Sequence, residues 1–133
     1  MKDGPGSVPV NALAPTRAGQ TFVRGADVPW EDTASGVRRQ ILGHGPDLMM
    51  VRVDFEGGAT GSLHRHPHRQ VTFVARGRFE VTVDGLTALL TPGDCFYVAT
   101  DLEHGVRAID EGGGTLVDVF TPTRMAVTAP AAT

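Results

Sequence analysis

Hydrophobic and polar positions alternate with a period of two through the middle of the chain. Over 49–55, Met49, Val51, Val53 and Phe55 alternate with Met50, Arg52 and Asp54. Successive strand side chains point to opposite faces, so this pattern predicts a half-buried strand. The stretch 78–83 alternates as cleanly, and Asp84-Gly85 signals a hairpin into 86–90. Further strands are predicted over 37–42, 70–75, 95–98, 104–108 and 115–120. Glu56-Gly57-Gly58, Pro92-Gly93-Asp94 and Gly112-Gly113-Gly114 turn the chain between strands, and Arg76-Gly77 reads as a tight hairpin connection. No segment after Asp32 carries a helical period. Strands this short, separated by turn signals, predict an all-β sandwich or barrel. Open edges invite aggregation, so closure into one antiparallel barrel or jelly roll is expected.

Composition narrows the picture. Seventeen glycines and nine prolines among 133 residues exclude a helical bundle, since these are the poorest helix formers. A hydrophobic share of 41% suffices for one core. The first two dozen residues are small, polar and broken by Pro5, Pro9 and Pro15, and read as a flexible arm. A net charge of -3 offers no basic field for nucleic acid. No apolar run approaches the roughly 18 residues of a membrane span, and the N-terminus lacks the apolar stretch of a signal peptide. Cys95 is the single cysteine, which excludes an internal disulfide and suits a reducing cytoplasm.

Chemistry concentrates at the histidines. His64, His66 and His68 lie within five residues, and His104 follows far downstream. In an extended segment His64, His66 and Gln70 share a parity and can aim at one point. Neutral imidazole nitrogens about 2.1 Å from a metal are common transition-metal ligands. His68 has the same parity, but Pro67 distorts the strand beside it. His44, between two glycines, reads as an ordinary loop histidine. Asp118 sits in the apolar strand Thr115-Leu116-Val117-Asp118-Val119-Phe120, on one face with Leu116 and Phe120. A carboxylate there must be solvated, paired or functional. Facing a metal cavity, it would serve as general acid or base. Arg124, just after Thr121-Pro122-Thr123, can fork a substrate carboxylate.

The spacing has a recognisable grammar. Gly58, five residues, His64-Arg65-His66, three residues, Gln70, six residues and Gly77 resemble the first signature motif of the cupins, with Gln70 where most members carry glutamate. Gly93, five residues, Ala99, Thr100, Asp101, two residues, His104, three residues and Ala108 resemble the second. There Ala99, Asp101 and Ala108 replace the usual proline, glycine and asparagine. The resemblance implies a cupin fold, a double-stranded β-helix or jelly-roll barrel, holding one divalent transition metal ion (Ni, Mn, Fe, Zn or Cu) per chain.

Pro29-Trp30-Glu31-Asp32, Asp47-Leu48-Met49-Met50-Val51 and Asp118-Val119-Phe120-Thr121-Pro122-Thr123-Arg124 extend the likeness to small single-domain cupins of the pectin-degradation type. It covers residues 27–124, leaving 1–26 as an arm and 125–133 as a tail. The family opens the ring of 4,5-unsaturated uronates to linear 5-keto-4-deoxyuronates. The resemblance implies His64, His66, Gln70 and His104 as metal ligands, with Asp118, Phe120 and Arg124 lining the active site. The chain departs from the family at Arg69, where acidic residues are common, and in Met125-Ala126-Val127 after Arg124. Gln70 also follows His66 by one residue fewer than in some members.

The expected function is metal-dependent ring opening or tautomerisation of a small anionic sugar acid. Two alternatives stay open: a quercetinase-like dioxygenase, and a ligand-binding or sensor cupin without catalysis. A homodimer is expected, with the region of Trp30 as a candidate exchanged strand.

Overall fold

The computed structural model of the chain describes residues 14–123. Among the described residues, ten strands follow a 3-10 turn at Gly25–Asp27. They are β1 (Glu31–Ala34), β2 (Val37–His44), β3 (Met49–Phe55), β4 (Thr60–His64), β5 (Arg69–Arg76), β6 (Phe79–Val83), β7 (Leu86–Leu90), β8 (Cys95–Val98), β9 (His104–Ala108) and β10 (Gly114–Thr121). They form a six-stranded sheet in the order β1-β2-β3-β10-β5-β8 and a four-stranded sheet in the order β4-β9-β6-β7, and all the ladders are antiparallel. From β4 onward the chain passes repeatedly from one sheet to the other, which is jelly-roll connectivity. The ladders do not join the two sheets, so the expected closed barrel is instead a pair of sheets around a shared interior. Among the described residues no helix is long and apolar enough to cross a membrane.

The alternating strands bury the predicted faces. Met49, Val51, Val53 and Phe55 are buried in β3 while Met50 and Arg52 are exposed. The Asp84-Gly85 hairpin forms with both residues at positive φ, as a two-residue turn of matching twist requires. The Arg76-Gly77 reading is corrected, because β5 pairs with β10 and β8 and never with β6. Gly77 turns the chain from one sheet into the other. It has positive φ, and a Cβ there would strike the backbone of Gly113 and Gly114, so a residue with a side chain does not fit.

Two strands carry no hydrophobic alternation and lie outside the predicted set. β1 is a polar edge strand, tied to β2 by Glu31 and Arg39 at 3.0 Å. It pairs with β2, and Arg38 lies 3.9 Å over the Trp30 ring. β4, Thr-Gly-Ser-Leu-His, is set by close approach to β9. A Cβ on Gly105 would come within 2.9 Å of Gly61 O. Residues 14–28 lie along β2: Thr16 Oγ1 donates to Ile41 O at 2.8 Å, and buried Gln40 donates through Nε2 to Gly25 O and Val28 O at 2.7 and 3.0 Å.

The interior grades from apolar to polar along its length. At one end Phe55 and Phe79 meet edge-to-face, with centroids 5.2 Å apart, among Val53, Val74, Ala108 and Leu116. Toward the other end the inward series run Val74, Thr72, Gln70 on β5, Ala108, Val106, His104 on β9, and Leu116, Asp118, Phe120 on β10. Thr72 and Gln70 on β5, His104 on β9 and Asp118 on β10 thus bring polar side chains into this end of the interior, with Phe120 beside Gln70. That end is the candidate site.

Candidate metal centre

His64 closes β4 and His104 opens β9, and the two are direct cross-strand partners with ring centroids 4.3 Å apart. His66 comes from the loop into β5, its ring 4.7 Å from His104. That loop is held from outside by Asp101, whose backbone N–H donates to His66 O at 2.9 Å. Asp101 has φ 61, a left-handed conformation that aspartate tolerates in place of glycine. The three histidines offer ligand atoms that all lie within 4.8 Å of one another.

Each ring is fixed through its far nitrogen. Nδ1 of His64 faces Ser62 O at 2.7 Å, Nδ1 of His66 faces His68 O at 2.9 Å, and Nδ1 of His104 faces Leu102 O at 3.0 Å. A backbone carbonyl only accepts, so each Nδ1 carries the hydrogen and each neutral ring keeps its lone pair on Nε2. This is the outer-shell pattern of metal-binding imidazoles.

Gln70 lies against this group. Its Oε1 lies 2.9 Å from His66 Nε2, and its Nε2 donates to Thr72 Oγ1 at 2.9 Å. Thr72 in turn donates to Asp118 Oδ1 at 2.7 Å. With the His66 hydrogen on Nδ1 alone, Oε1 and Nε2 present lone pairs side by side, an arrangement that suits a cation shared by both. His64 Nε2 is buried and makes no hydrogen bond among the described residues. A group of three imidazole nitrogens and one amide oxygen, with lone pairs converging in this way, fits a divalent transition metal.

The other expected residues fall as follows. Asp118 is fully buried and Phe120 nearly so, with the Phe120 ring edge-on to His66 at 5.9 Å. Arg124 lies outside the described residues. Just before it, Thr123 donates to Gly45 O and Leu48 O, anchoring the end of the described chain beside the start of β3. His68 is buried but stands outside the three-histidine group, and supplies its carbonyl to His66. His44 belongs to the end of β2 rather than to a loop, with Nδ1 3.1 Å from Leu42 O. Thr72 is absent from the residues singled out in the sequence, although its parity with Gln70 is the signal that finds it. A surface hollow of about 690 Å³ between Asp32, Arg38, Asp54, Arg76 and Gly112 sits at the far ends of β3 and β10 and contains no histidine.

Comparison with known proteins agrees with this geometry. Residues 51–120 match the family described as Cupin domain. The pectin degradation protein KdgF of Dickeya dadantii (strain 3937) is 40% identical over 99 residues, covering 74% of this chain and 89% of that protein. An RmlC-like cupin from Shewanella frigidimarina NCIMB 400 superposes with a TM-score of 0.78 at 38% identity, covering 85% of this chain and 100% of that one. The structure of KdgF from Halomonas sp. gives a TM-score of 0.76 at 37% identity, covering 81% and 98%. The two-sheet jelly roll, the histidine spacing and these matches establish that the chain belongs to the cupin family, as a small single-domain member of the pectin-degradation type.

Proposed function

We propose that this chain is a metal-dependent cupin that opens the ring of a 4,5-unsaturated uronate to a linear 5-keto-4-deoxyuronate. The observation that carries the reading is the placement of Asp118, buried on β10 and joined through Thr72 to Gln70 beside the three histidines. The 40% identity to a pectin degradation protein supports a pectin-derived sugar acid as the substrate class.

His64, His66, His104 and Gln70 would hold the metal. A bound divalent ion in this uncharged donor set supplies Lewis acidity and attraction for an anionic sugar acid. The protein's own groups do the rest. Asp118 accepts the proton of the C1 hydroxyl as the C1–O5 bond breaks, giving an aldehyde at C1 and an enolate at C5. The same carboxyl returns the proton to C4 as the C5 ketone forms, so the reaction is an isomerisation with no net proton change. Phe120 provides an apolar wall against His66, and Arg124 is proposed to fork the substrate carboxylate.

Asp118→Asn tests the assignment. The amide keeps an acceptor oxygen for Thr72 but cannot take up a proton. Turnover of an unsaturated uronate should fall about 100- to 10,000-fold, the usual worth of a general acid–base, with metal content unchanged. Full activity in this variant would remove Asp118 from the reaction.

A further inference from the structure

Hydrogen bonds have a direction, and the chain of three polar residues in the interior has only one that works. Asp118 Oδ1 is a carboxylate oxygen and can only accept, so the Thr72 hydroxyl spends its single hydrogen on it, at 2.7 Å. Thr72 Oγ1 is then left only as an acceptor toward residue 70, and Gln70 Nε2 donates to it at 2.9 Å. With the amide N–H₂ committed to Thr72, Oε1 is turned toward His66 Nε2 at 2.9 Å. Thr72 and Asp118 are direct cross-strand partners on β5 and β10, and both are fully buried, so no water is needed to complete the line.

A glutamate at position 70 breaks this order. Ionised, it has no hydrogen to give, and Thr72 would face two carboxylates with one hydrogen between them. One acceptor would remain unmet in a buried place, which is costly. The geometry points to Thr72 as a positioning residue that locks the polarity of the site, so that the Asp118 carboxylate dictates glutamine rather than glutamate at the metal-facing position 70. Gln70 and Asp118 are thus a matched pair, coupled through one hydroxyl. The pairing concerns the resting protein and does not depend on which substrate is used.

A mutant cycle on the full chain tests the coupling. Gln70→Glu should lower the melting temperature, and adding Asp118→Asn should restore it. The asparagine amide can donate to Thr72, which frees the threonine hydrogen for the carboxylate introduced at position 70. The double variant is expected to melt at least about 4 °C above Gln70→Glu alone, the scale of roughly 1 kcal/mol of coupling in a domain of this size. In the Gln70 background the same Asp118→Asn change should give no such gain. Equal shifts from Asp118→Asn in both backgrounds would overturn the proposal.

A second measurement stands if Gln70→Glu does not fold. Thr72→Val, titrated with Co²⁺, should bind about 10- to 100-fold more weakly than wild type, the usual effect of losing an outer-shell partner. Thr72→Ser, which keeps the hydroxyl, should recover the affinity. Equal Co²⁺ affinity for the Val and Ser variants would contradict the positioning role. Neither readout involves turnover, so an inactive protein with intact coupling would count against the proposed reaction and not against Thr72.

Discussion

His64 and His104 meet as cross-strand partners where β4 ends and β9 begins, their rings 4.3 Å apart. The two motifs of the chain, forty residues apart, are thereby joined at one rung of a ladder. Both rings are locked by backbone carbonyls behind them, from Ser62 and Leu102. Two of the three nitrogens of the site are therefore built into the sheet itself.

Removal of one of these rings should empty the site without unfolding the sheet. His104→Ala is expected to lower metal content, measured by elemental analysis of the purified protein, from about one ion per chain toward zero. The circular dichroism spectrum should stay that of a β protein, because the core around Phe55 and Phe79 lies at the other end of the interior. Full metal occupancy in this variant would place the ion elsewhere.

Acid stability should carry the mark of Asp110. Its carboxylate accepts from Arg78 Nε at 2.8 Å and from the Arg78 backbone N–H at 2.9 Å. Those hydrogen bonds, chiefly the side-chain one, hold its pKa below the ordinary carboxylate value. A depressed folded-state pKa stabilises the protein above the unfolded value, and that contribution is lost as pH falls through the folded one. Melting temperatures of wild type and Asp110→Asn should therefore differ near neutrality and converge as pH drops below about 4. The pair is exposed, so the difference should be small and should shrink in high salt. A gap that widens in acid would contradict this sign.

The proposed homodimer has one face suited to it. On the outward side of the six-stranded sheet, Met50, Val119, Val71 and Tyr97 form one cross-strand row, and Val117 and Phe73 lie in the next. Met50, Val71, Phe73 and Tyr97 are all exposed, a contiguous apolar surface of the kind that marks an interface. Light scattering should give twice the 14.1 kDa chain mass, and Phe73→Glu should give monomer with its metal retained. A monomeric wild type, or a Phe73→Glu variant that stays dimeric, would dismiss this face.

Much of this is legible in the residues. Period-two alternation locates β3 and β6, and parity puts His64, His66, His68 and Gln70 on one side and Asp118 on one face with Leu116 and Phe120, a face the structure shows to be buried. β1 and β4 are invisible to it because neither owes its strand to buried apolar side chains. β1 is an edge held by Arg39, and β4 is held by backbone approach at Gly61 and Gly105. Arg76-Gly77 misleads because a glycine at positive φ serves a corner between sheets as well as a hairpin. Which strands pair is a long-range choice that a local turn signal does not contain. Thr72 escapes notice for a similar reason, since its importance lies in a partner 46 positions away.

The most direct test of the proposed reaction is the ultraviolet absorbance of a 4,5-unsaturated uronate followed after adding the purified protein, with and without prior removal of its metal by a chelator. The conjugated double bond is lost on conversion to the linear keto acid. The metal-loaded protein should accelerate that loss well above the spontaneous rate without consuming oxygen, and chelation should abolish the acceleration until metal is restored. An unchanged spontaneous rate with the fully metallated protein, or loss of absorbance coupled to oxygen uptake, would contradict the account.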